Sequence, residues 1–467
     1  MIRSQETHAN EFVVVPPSDL HRQLGGLLKS NDGADVTFGV GGEIFSAHRS
    51  VLAARSPVFK AELFGDMREK AGDPIEIDDI EADVFNSLLH FIYTDSLPES
   101  TNGGATQDDV VTASHLLVAA DRYDIERLKL ICEDKLCNNI DCNMVATSLA
   151  LAEQHSCDGV KEACFEFLAS PSNLERVIAS EGYQHLKSSY PYVLKEFIAR
   201  LLPVELTAAR DIIRAYLPKQ RFRLGFTSFI EQKYLEGSVH LTDDSFRIRC
   251  DVTVLKKIRS EEICPNQFVV VPPSKLHRQL GDLLKNKDGA DVAFRVGGEI
   301  FSAHRSVLAA RSPVFKAELF GTMRERAGDP IEIHDIEADV FKSLLHFIYT
   351  DSLPETTQED VVTASHLLVA ADRYDIERLK LICEDKLCNH IDPNMVATSL
   401  ALAEQHNCHG LKEACFGFLA SPSNLEAMIA SDGYQHLKSS CPSVLKELIA
   451  RILPAELMAA KDIVRSI

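Results

Sequence analysis

The sequence predicts an α+β protein that is built twice, with a small sheet covered by helices and an all-helical extension in each half. A long internal repeat predicts the duplication, because residues 33–99 recur at 289–355 with six differences. Short runs of alternating apolar and polar residues predict the sheet, and a long stretch of helical periodicity predicts the extension. A unit of this length indicates duplicated domains, since solenoid repeats span about 20–50 residues.

An opening helix and a β-hairpin are predicted at the start of each copy. Leucines at helical spacing form an apolar stripe from Leu20 to Leu28. Residues 36–40 alternate as a strand, and the dipeptide Gly41-Gly42 is typical of a tight turn into a return strand. Each copy is therefore predicted to begin with a helix that is followed by a hairpin.

Helices dominate the remainder of each copy. Serine caps a helix and proline suits its first position, so Ser56-Pro57 predicts a helix start. Residues 75–77 predict a third short strand, and a helix with one apolar face is predicted after Asp83. Residues 109–213 then follow a helical period, with breaks near Asp141, Ser170-Pro171 and Pro191.

Composition excludes several classes of function. The 467 residues are 45% hydrophobic and 25% charged, which is ordinary for globular domains, and the formal net charge is −20. Nucleic acids and anionic membranes require clustered cations, so neither is expected as a partner. There is no apolar run of about 18 residues and no secretory signal is expected. Twelve cysteines are predicted to be reduced thiols of a cytoplasmic or nuclear protein.

No catalytic, cofactor or metal site is predicted. The strongest polar set is Asp35, His48 and Arg49, repeated as Asp291, His304 and Arg305, and its predicted role is structural because no nucleophile accompanies it. The glycines at residues 39–42 lack the Lys-Ser or Lys-Thr of a phosphate loop. Cysteine and histidine spacings do not match zinc sites. The sequence therefore predicts no enzyme, no cofactor and no small-molecule substrate.

One set of linked motifs resembles a known family. The string GEIFSAHRSVLAARSPVFKAELF, the later IEI strand and the pattern FxxLLHFIYTD occur in both copies and resemble the BTB/POZ domain. The helices after each domain resemble the three-box and BACK-type extension, and residues 221–257 resemble the last strands of a MATH domain. The whole is similar to the MATH-BTB family, which includes the speckle-type POZ protein.

The resemblance implies seven segments. A linker left from a missing MATH domain is expected at 1–18, the first BTB/POZ domain at 19–128 and its helical extension at 129–217. A MATH remnant is expected at 218–257, a second linker at 258–274, the second BTB/POZ domain at 275–379 and the second extension at 380–467.

The resemblance also implies a function without bond chemistry. Members of the family are adaptors for cullin-3-type E3 ubiquitin ligases and dimerise through their BTB domains. Cullin binding is expected at a hydrophobic-any-Glu motif in one loop of each copy, at Met67, Arg68 and Glu69 and at Met323, Arg324 and Glu325. Only Phe226 matches an aromatic position of the family's substrate groove, so the resemblance implies a remnant of that groove and no complete one.

A second expected surface is the self-association face of the BTB domain. It comprises Leu20, Leu24, Leu27 and Val51, with Leu276, Leu280, Leu283 and Val307 in the second copy. These leucines could instead pack only against their own domain. If they associate, the two copies could pair within one chain, or between chains, including with MATH-BTB relatives.

Two other functions remain open from the sequence. The chain could be a scaffold that hetero-oligomerises with intact MATH-BTB adaptors or antagonises them. It could also be a cullin-independent transcriptional co-regulator, although such proteins usually carry zinc fingers and no zinc-finger spacing is present.

Overall fold

The computed structural model describes residues 12–65, 73–98, 107–201, 268–321, 329–354 and 361–452. These residues fall into two compact units, the first formed by Met1–Lys129 with Pro272–Ile467 and the second by Leu130–Val271. Both BTB-like repeats and the second helical extension belong to the first unit. The second unit contains the first helical extension.

The first copy contains three strands and eleven described helices. In chain order they are α1 (Leu20–Ser30), β1 (Val36–Val40), β2 (Glu43–Ala47), α2 (Arg49–Arg55), α3 (Pro57–Phe64), β3 (Ile75–Ile77), α4 (Ala82–Thr94), α5 (Gln107–Arg122), α6 (Glu126–Cys137), α7 (Val145–Gln154), α8 (Asp158–Leu168), α9 (Pro171–Ile178), α10 (Glu181–Ser189) and α11 (Pro191–Leu201).

The second copy repeats this order. Its elements are α12 (Leu276–Asn286), β4 (Val292–Val296), β5 (Glu299–Ala303), α13 (Arg305–Arg311), α14 (Pro313–Phe320), β6 (Ile331–Ile333), α15 (Ala338–Thr350), α16 (Val361–Arg373), α17 (Glu377–Cys388), α18 (Val396–Gln405), α19 (His409–Leu419), α20 (Pro422–Ala430), α21 (Asp432–Ser440) and α22 (Pro442–Ile452).

Each copy has a three-stranded sheet with the order β2-β1-β3 or β5-β4-β6. The predicted hairpin is confirmed, since β1 and β2 are antiparallel with Val36 opposite Ala47. Gly41 and Gly42 have φ values of +58° and +83°, which glycine adopts at little cost. The third strand is parallel to β1, a pairing that the sequence did not predict.

The predicted helix start at Ser56-Pro57 is also confirmed. The Phe59 backbone N–H donates to Ser56 Oγ at 3.1 Å, and Pro57 occupies the first helical position. The following helix differs slightly from its prediction. This helix begins at Ala82, so Asp83 lies within its first turn and does not precede it. A carboxylate there interacts favourably with the positive end of the helix dipole.

The core of each sheet domain is aromatic. The Phe38 ring lies 5.7 Å from Phe59 and 5.3 Å from Phe85 between ring centroids, and Phe59 stacks on Tyr123 at 4.1 Å. All four side chains are buried. The second copy repeats these contacts almost unchanged.

The second unit is helical throughout its described part. Helix α7 contacts α8 and α10, and Phe165 of α8 stacks on Phe197 of α11 at 5.4 Å. None of the described cysteines of either unit forms a disulfide. Within the described residues, every helix is too short or too polar to cross a membrane.

Candidate protein-interaction site between the two copies

The opening helix of each copy lies against two neighbours in the first unit. Helix α1 contacts α4 of its own copy and α13 of the other, while α12 contacts α15 of its own copy and α2 of the other. The expected leucines Leu20, Leu24 and Leu27 are at most 5% exposed. The helix that carries this stripe therefore packs both against its own domain and against the opposite copy. The same holds for the equivalent leucines of the second copy: Leu276, Leu280 and Leu283.

Helices α2 and α13 meet between the copies. Val51 and Val307, the remaining expected residues of this surface, are fully buried. The hydroxyl oxygens of Ser50 and Ser306 lie 2.8 Å apart. Equivalent residues meet each other only near a two-fold axis, so this contact marks a local two-fold axis between the repeats.

A buried cluster on the second copy binds the opening helix of the first. Asp351 forms ion pairs with Arg311 and with Arg378, whose Nη1 lies 2.6 Å from Asp351 Oδ2. Arg311 Nη1 also donates to Gln23 Oε1 of α1 at 2.5 Å. Because these groups are removed from water and neutralise one another, removal of either arginine is expected to destabilise the cluster.

The first copy carries the equivalent cluster. Asp95 is held by Arg55 and by Arg127, and Arg55 donates to Gln279 of α12. Burial lowers the pKa of the Arg55 guanidinium, and the neighbouring Asp95 opposes that change. The sequence interpretation missed these residues. The available signal was an arginine in the last turn of the apolar helix SVLAAR.

One difference makes the two clusters unequal. Asp19 and Lys275 hold the same position, immediately before α1 and α12. Asp19 Oδ1 lies 3.5 Å from Arg311 Nη1, so it adds a negative charge beside that arginine. Lys275 carries a positive charge at the equivalent position before α12. The local symmetry therefore relates the backbone but not all of the charges.

Two reciprocal contacts lie beside the central helices. Lys60 pairs with Asp288, and Lys316 pairs with Asp32, each with 2.7 Å between nitrogen and oxygen. The Lys316 ammonium holds the pKa of Asp32 below its ordinary value. Gly33 has a φ of +75°, and a Cβ at this position would overlap the Phe320 ring. The close approach of the two copies here requires glycine.

The segment before each opening helix extends this interface. Within the first unit, Arg378 Nε donates to the carbonyl of Pro16 at 3.0 Å, and Arg127 Nε donates to the carbonyl of Pro272 at 2.9 Å. Each arginine belongs to the copy opposite the proline that it binds. Val13 is also buried, and a Cβ placed on Gly410 of α19 would lie 2.5 Å from its Cγ2.

The polar set around His48 is held by hydrogen bonds within its own copy. His48 Nδ1 lies 2.8 Å from the Tyr93 hydroxyl, and Nε2 lies 3.0 Å from the Asp32 carbonyl. Burial lowers the pKa of His48 and raises the pKa of Tyr93. The Arg49 backbone N–H donates to Asp35 Oδ1 at 2.8 Å. These bonds link the segment between β2 and α2 to α4 and to the residues that precede β1.

The expected cullin-binding and substrate residues lie outside the described residues. They are Met67, Arg68, Glu69, Met323, Arg324, Glu325 and Phe226. Among the side chains that are described, no group of three or more His, Cys, Asp or Glu could hold a metal ion.

Family profiles match both copies. The BTB/POZ domain matches residues 24–140 and 280–391. The BACK domain of the BPM/SPOP type matches residues 144–198 and 395–449. The order of the two domains is therefore the same in each repeat.

The chain is similar to curated proteins of Arabidopsis thaliana. The BTB/POZ and MATH domain-containing protein 3 is 44% identical over 241 residues, which are 50% of this chain and 58% of the relative. The BTB/POZ and MATH domain-containing protein 4 is 41% identical over 245 residues, 50% of this chain and 51% of the relative. The chain spans about half the length of these relatives.

A solved structure, the BTB domain of zebrafish PATZ1, is 30% identical with a TM-score of 0.21 and covers 24% of this chain and 92% of its own. The fold and the profile matches place the same two domains in the same order in both halves. The chain therefore belongs to the BTB/POZ proteins with a BACK domain of the BPM/SPOP type, as a tandem repeat of both domains.

Proposed function

We propose that this chain is a non-enzymatic adaptor or regulator of a cullin-3-type E3 ubiquitin ligase. The observation that carries the proposal is the repeated BTB/POZ domain followed by a BACK domain, because this arrangement resembles that of the family's cullin-3 adaptors. The protein acts by bringing partners together, which raises their local concentration. Its place of action is the cytoplasm, the nucleus or both.

The chemistry of the described residues supports a role without catalysis. The polar group that best resembles a catalytic set, around His48, is occupied by hydrogen bonds to Tyr93 and to the Asp32 carbonyl. Burial raises the pKa of Cys132 to about 12, so its thiol is protonated and a poor nucleophile at neutral pH. Neither group suits bond chemistry.

We further propose that the two BTB domains pair with each other within one chain. Burial of the leucines of α1 and α12 between the copies supports this arrangement. Covalent linkage favours it as well, since the second domain is present at a high effective concentration. Pairing between chains, including with MATH-BTB relatives, requires this internal contact to open first.

The cullin proposal is tested by binding of the full chain to an N-terminal fragment of cullin-3. The variant carries Met67→Asp and Met323→Asp, which place a charge where an apolar side chain is expected to enter the cullin. The control carries Asp66→Ala and Thr322→Ala, which precede the same motifs and differ between the copies. Isothermal titration calorimetry gives both the affinity and the number of cullin fragments per chain.

We expect the methionine variant to bind at least tenfold more weakly than the wild-type chain and the control to bind as the wild type does. Loss of a buried apolar contact at the centre of an interface has this magnitude. Equal affinity of all three proteins would remove these motifs from the proposal. Absence of binding by the wild-type chain would contradict the cullin function and favour a cullin-independent scaffold.

A further inference from the structure

An identical seven-residue segment, which we name the leader, precedes the opening helix of each copy. It reads FVVVPPS at residues 12–18 and again at residues 268–274. In the first leader Val13 is 7% exposed and Val14 is 85% exposed. The second leader repeats the pattern, with Val269 at 7% and Val270 at 83%. Such alternation is typical of an extended chain with one face against a surface.

The first leader lies in a groove of the second copy, which we name the leader groove. The groove comprises Arg378 at the start of α17, Glu384 further along α17 and Gly410 in the first turn of α19. A Cβ on Gly410 would lie 2.5 Å from Val13 Cγ2 and 2.6 Å from the Phe12 carbonyl oxygen. Only glycine allows the leader to approach the helix this closely.

The second unit contains an equivalent contact. There, a Cβ on Gly159 of α8 would lie 2.5 Å from Val269 Cγ2 and 2.9 Å from the Phe268 carbonyl oxygen. Gly159 and Gly410 are the second residues of α8 and α19. The same valine therefore meets the same helical position at two separate sites, which argues that the groove recognises this sequence.

The groove also forms a hydrogen bond with the backbone of the leader. Arg378 Nε binds the Pro16 carbonyl while its Nη1 binds Asp351. Pro17 restricts the residue before it to extended conformations, so the carbonyl is presented with little loss of entropy. Proline has no N–H to satisfy, which lowers the cost of docking. Asp351 in turn binds Arg311, which contacts α1, so the groove and the helix interface share one carboxylate.

We propose that the leader groove is a peptide-recognition site whose ligand is a second copy of the leader. Its ligand class is an extended apolar peptide with valine at the buried position and Pro-Pro beginning three residues later. The groove binds this sequence when it is supplied separately, and in the intact chain the covalently attached leader occupies it. This inference rests on the proposed pairing of the two copies, which it deepens by adding a sequence-specific contact.

The test uses full-length chains and a fluorescent peptide of residues 10–18. Val13→Asp unseats the chain's own leader, and Val14→Asp, at the neighbouring exposed position, is the matched control. Binding is followed by fluorescence anisotropy, folding by circular dichroism. A second pair of variants is made in the Val13→Asp chain. Gly410→Ala obstructs the groove, and Gly417→Ala lies on the same helix with nothing within 4 Å of its Cβ.

We expect the Val13→Asp chain to bind the peptide saturably, and the wild-type and Val14→Asp chains to need at least tenfold more peptide because their leaders compete at high effective concentration. A peptide carrying Val13→Asp should bind at least tenfold more weakly. Gly410→Ala should abolish binding and Gly417→Ala should preserve it.

Failure of the folded Val13→Asp chain to bind the peptide would overturn the inference, as would equal binding by the Gly410→Ala chain. The substitutions Ser50→Cys and Ser306→Cys, added to the Val13→Asp chain, separate this failure from failure of the pairing itself, because a disulfide between these positions reports that the copies pair. If the cross-link forms without peptide binding, the copies pair and the leader is only a linker. If neither occurs, the proposed pairing is wrong as well.

Discussion

A disulfide across the local two-fold axis tests whether the copies pair within one chain. Ser50 Oγ and Ser306 Oγ lie 2.8 Å apart. Sulfur atoms at these positions come within reach of the roughly 2.05 Å length of a disulfide. We therefore expect the double variant Ser50→Cys, Ser306→Cys to form an intramolecular disulfide under mild oxidation.

The size of the stabilisation follows from the sequence separation. The two serines are 256 residues apart. In the chain-entropy relation, closing a loop of this length in the unfolded state stabilises the fold by about 5.5 kcal/mol. The corresponding shift in Tm is this free energy divided by the unfolding entropy of the first unit. With an unfolding entropy of about 2.1 cal/mol/K per residue, the rise in Tm is about 8 °C.

Non-reducing electrophoresis and peptide mass spectrometry distinguish the possible pairings. An intramolecular link leaves a band at the monomer mass of 51.8 kDa and joins the peptides that contain positions 50 and 306. In a dimer that pairs like with like, position 50 would meet position 50 of a second chain. The single variant Ser50→Cys would then form covalent dimers, and Ser306→Cys would report the other homotypic pair.

Two of the native thiols, those of Cys132 and Cys383, interfere little with this measurement. Burial raises the pKa of Cys132 and of Cys383 to about 12, so few of these thiols are ionised at neutral pH. The wild-type chain under the same oxidation is the control. Covalent dimers in place of the monomer-mass product, or no product from the double variant, would refute the pairing of α2 with α13 within one chain.

Two further predictions concern stability. Burial lowers the pKa of His48 and of His304, so the folded chain binds fewer protons than the unfolded chain below the unfolded value of about 6.5. The contribution of these two histidines to the free energy of unfolding should therefore be complete above pH 6.5. It should decrease as the pH falls below that value. His48→Gln with His304→Gln should weaken this dependence, as measured by urea midpoints at pH 7.5 and 5.5, and an unchanged slope would count against the assignment. Lys275→Asp should raise the free energy of unfolding by about 1 kcal/mol, because a negative charge at the start of α12 interacts favourably with the helix dipole. The equivalent Asp19 lies 3.5 Å from Arg311, the counterpart of Arg55. The reciprocal Asp19→Lys should lower the free energy of unfolding similarly in thermal unfolding, and changes of the same sign in both variants would contradict the charge argument.

Local features could be predicted from the sequence. The hairpin follows from alternation and from Gly41-Gly42, and the start of α3 follows from Ser56-Pro57, since each depends on residues that are close in the chain. The parallel pairing of Phe38 with Ile75 was missed because it joins distant segments. Periodicity gives the faces of strands but not their partners.

The interaction site was predicted only in its apolar part. The leucine stripe of α1 is visible as helical spacing, whereas the cluster around Asp95 brings together Arg55, 40 residues away, and Gln279, which lies in the other copy. The leader has the composition of a linker. Nothing local distinguishes Val13 from Val14, because their exposure is decided by Gly410, almost four hundred residues further along the chain.

The unequal residues Asp19 and Lys275 have a consequence for how such a molecule can change over time. In an assembly of two separate identical chains, every substitution appears on both halves, so a change that suits one side is imposed on the other. Fusion of the halves removes that constraint. Each half can then acquire its own charges and its own loop residues, and a mutation that weakens one side leaves its counterpart intact.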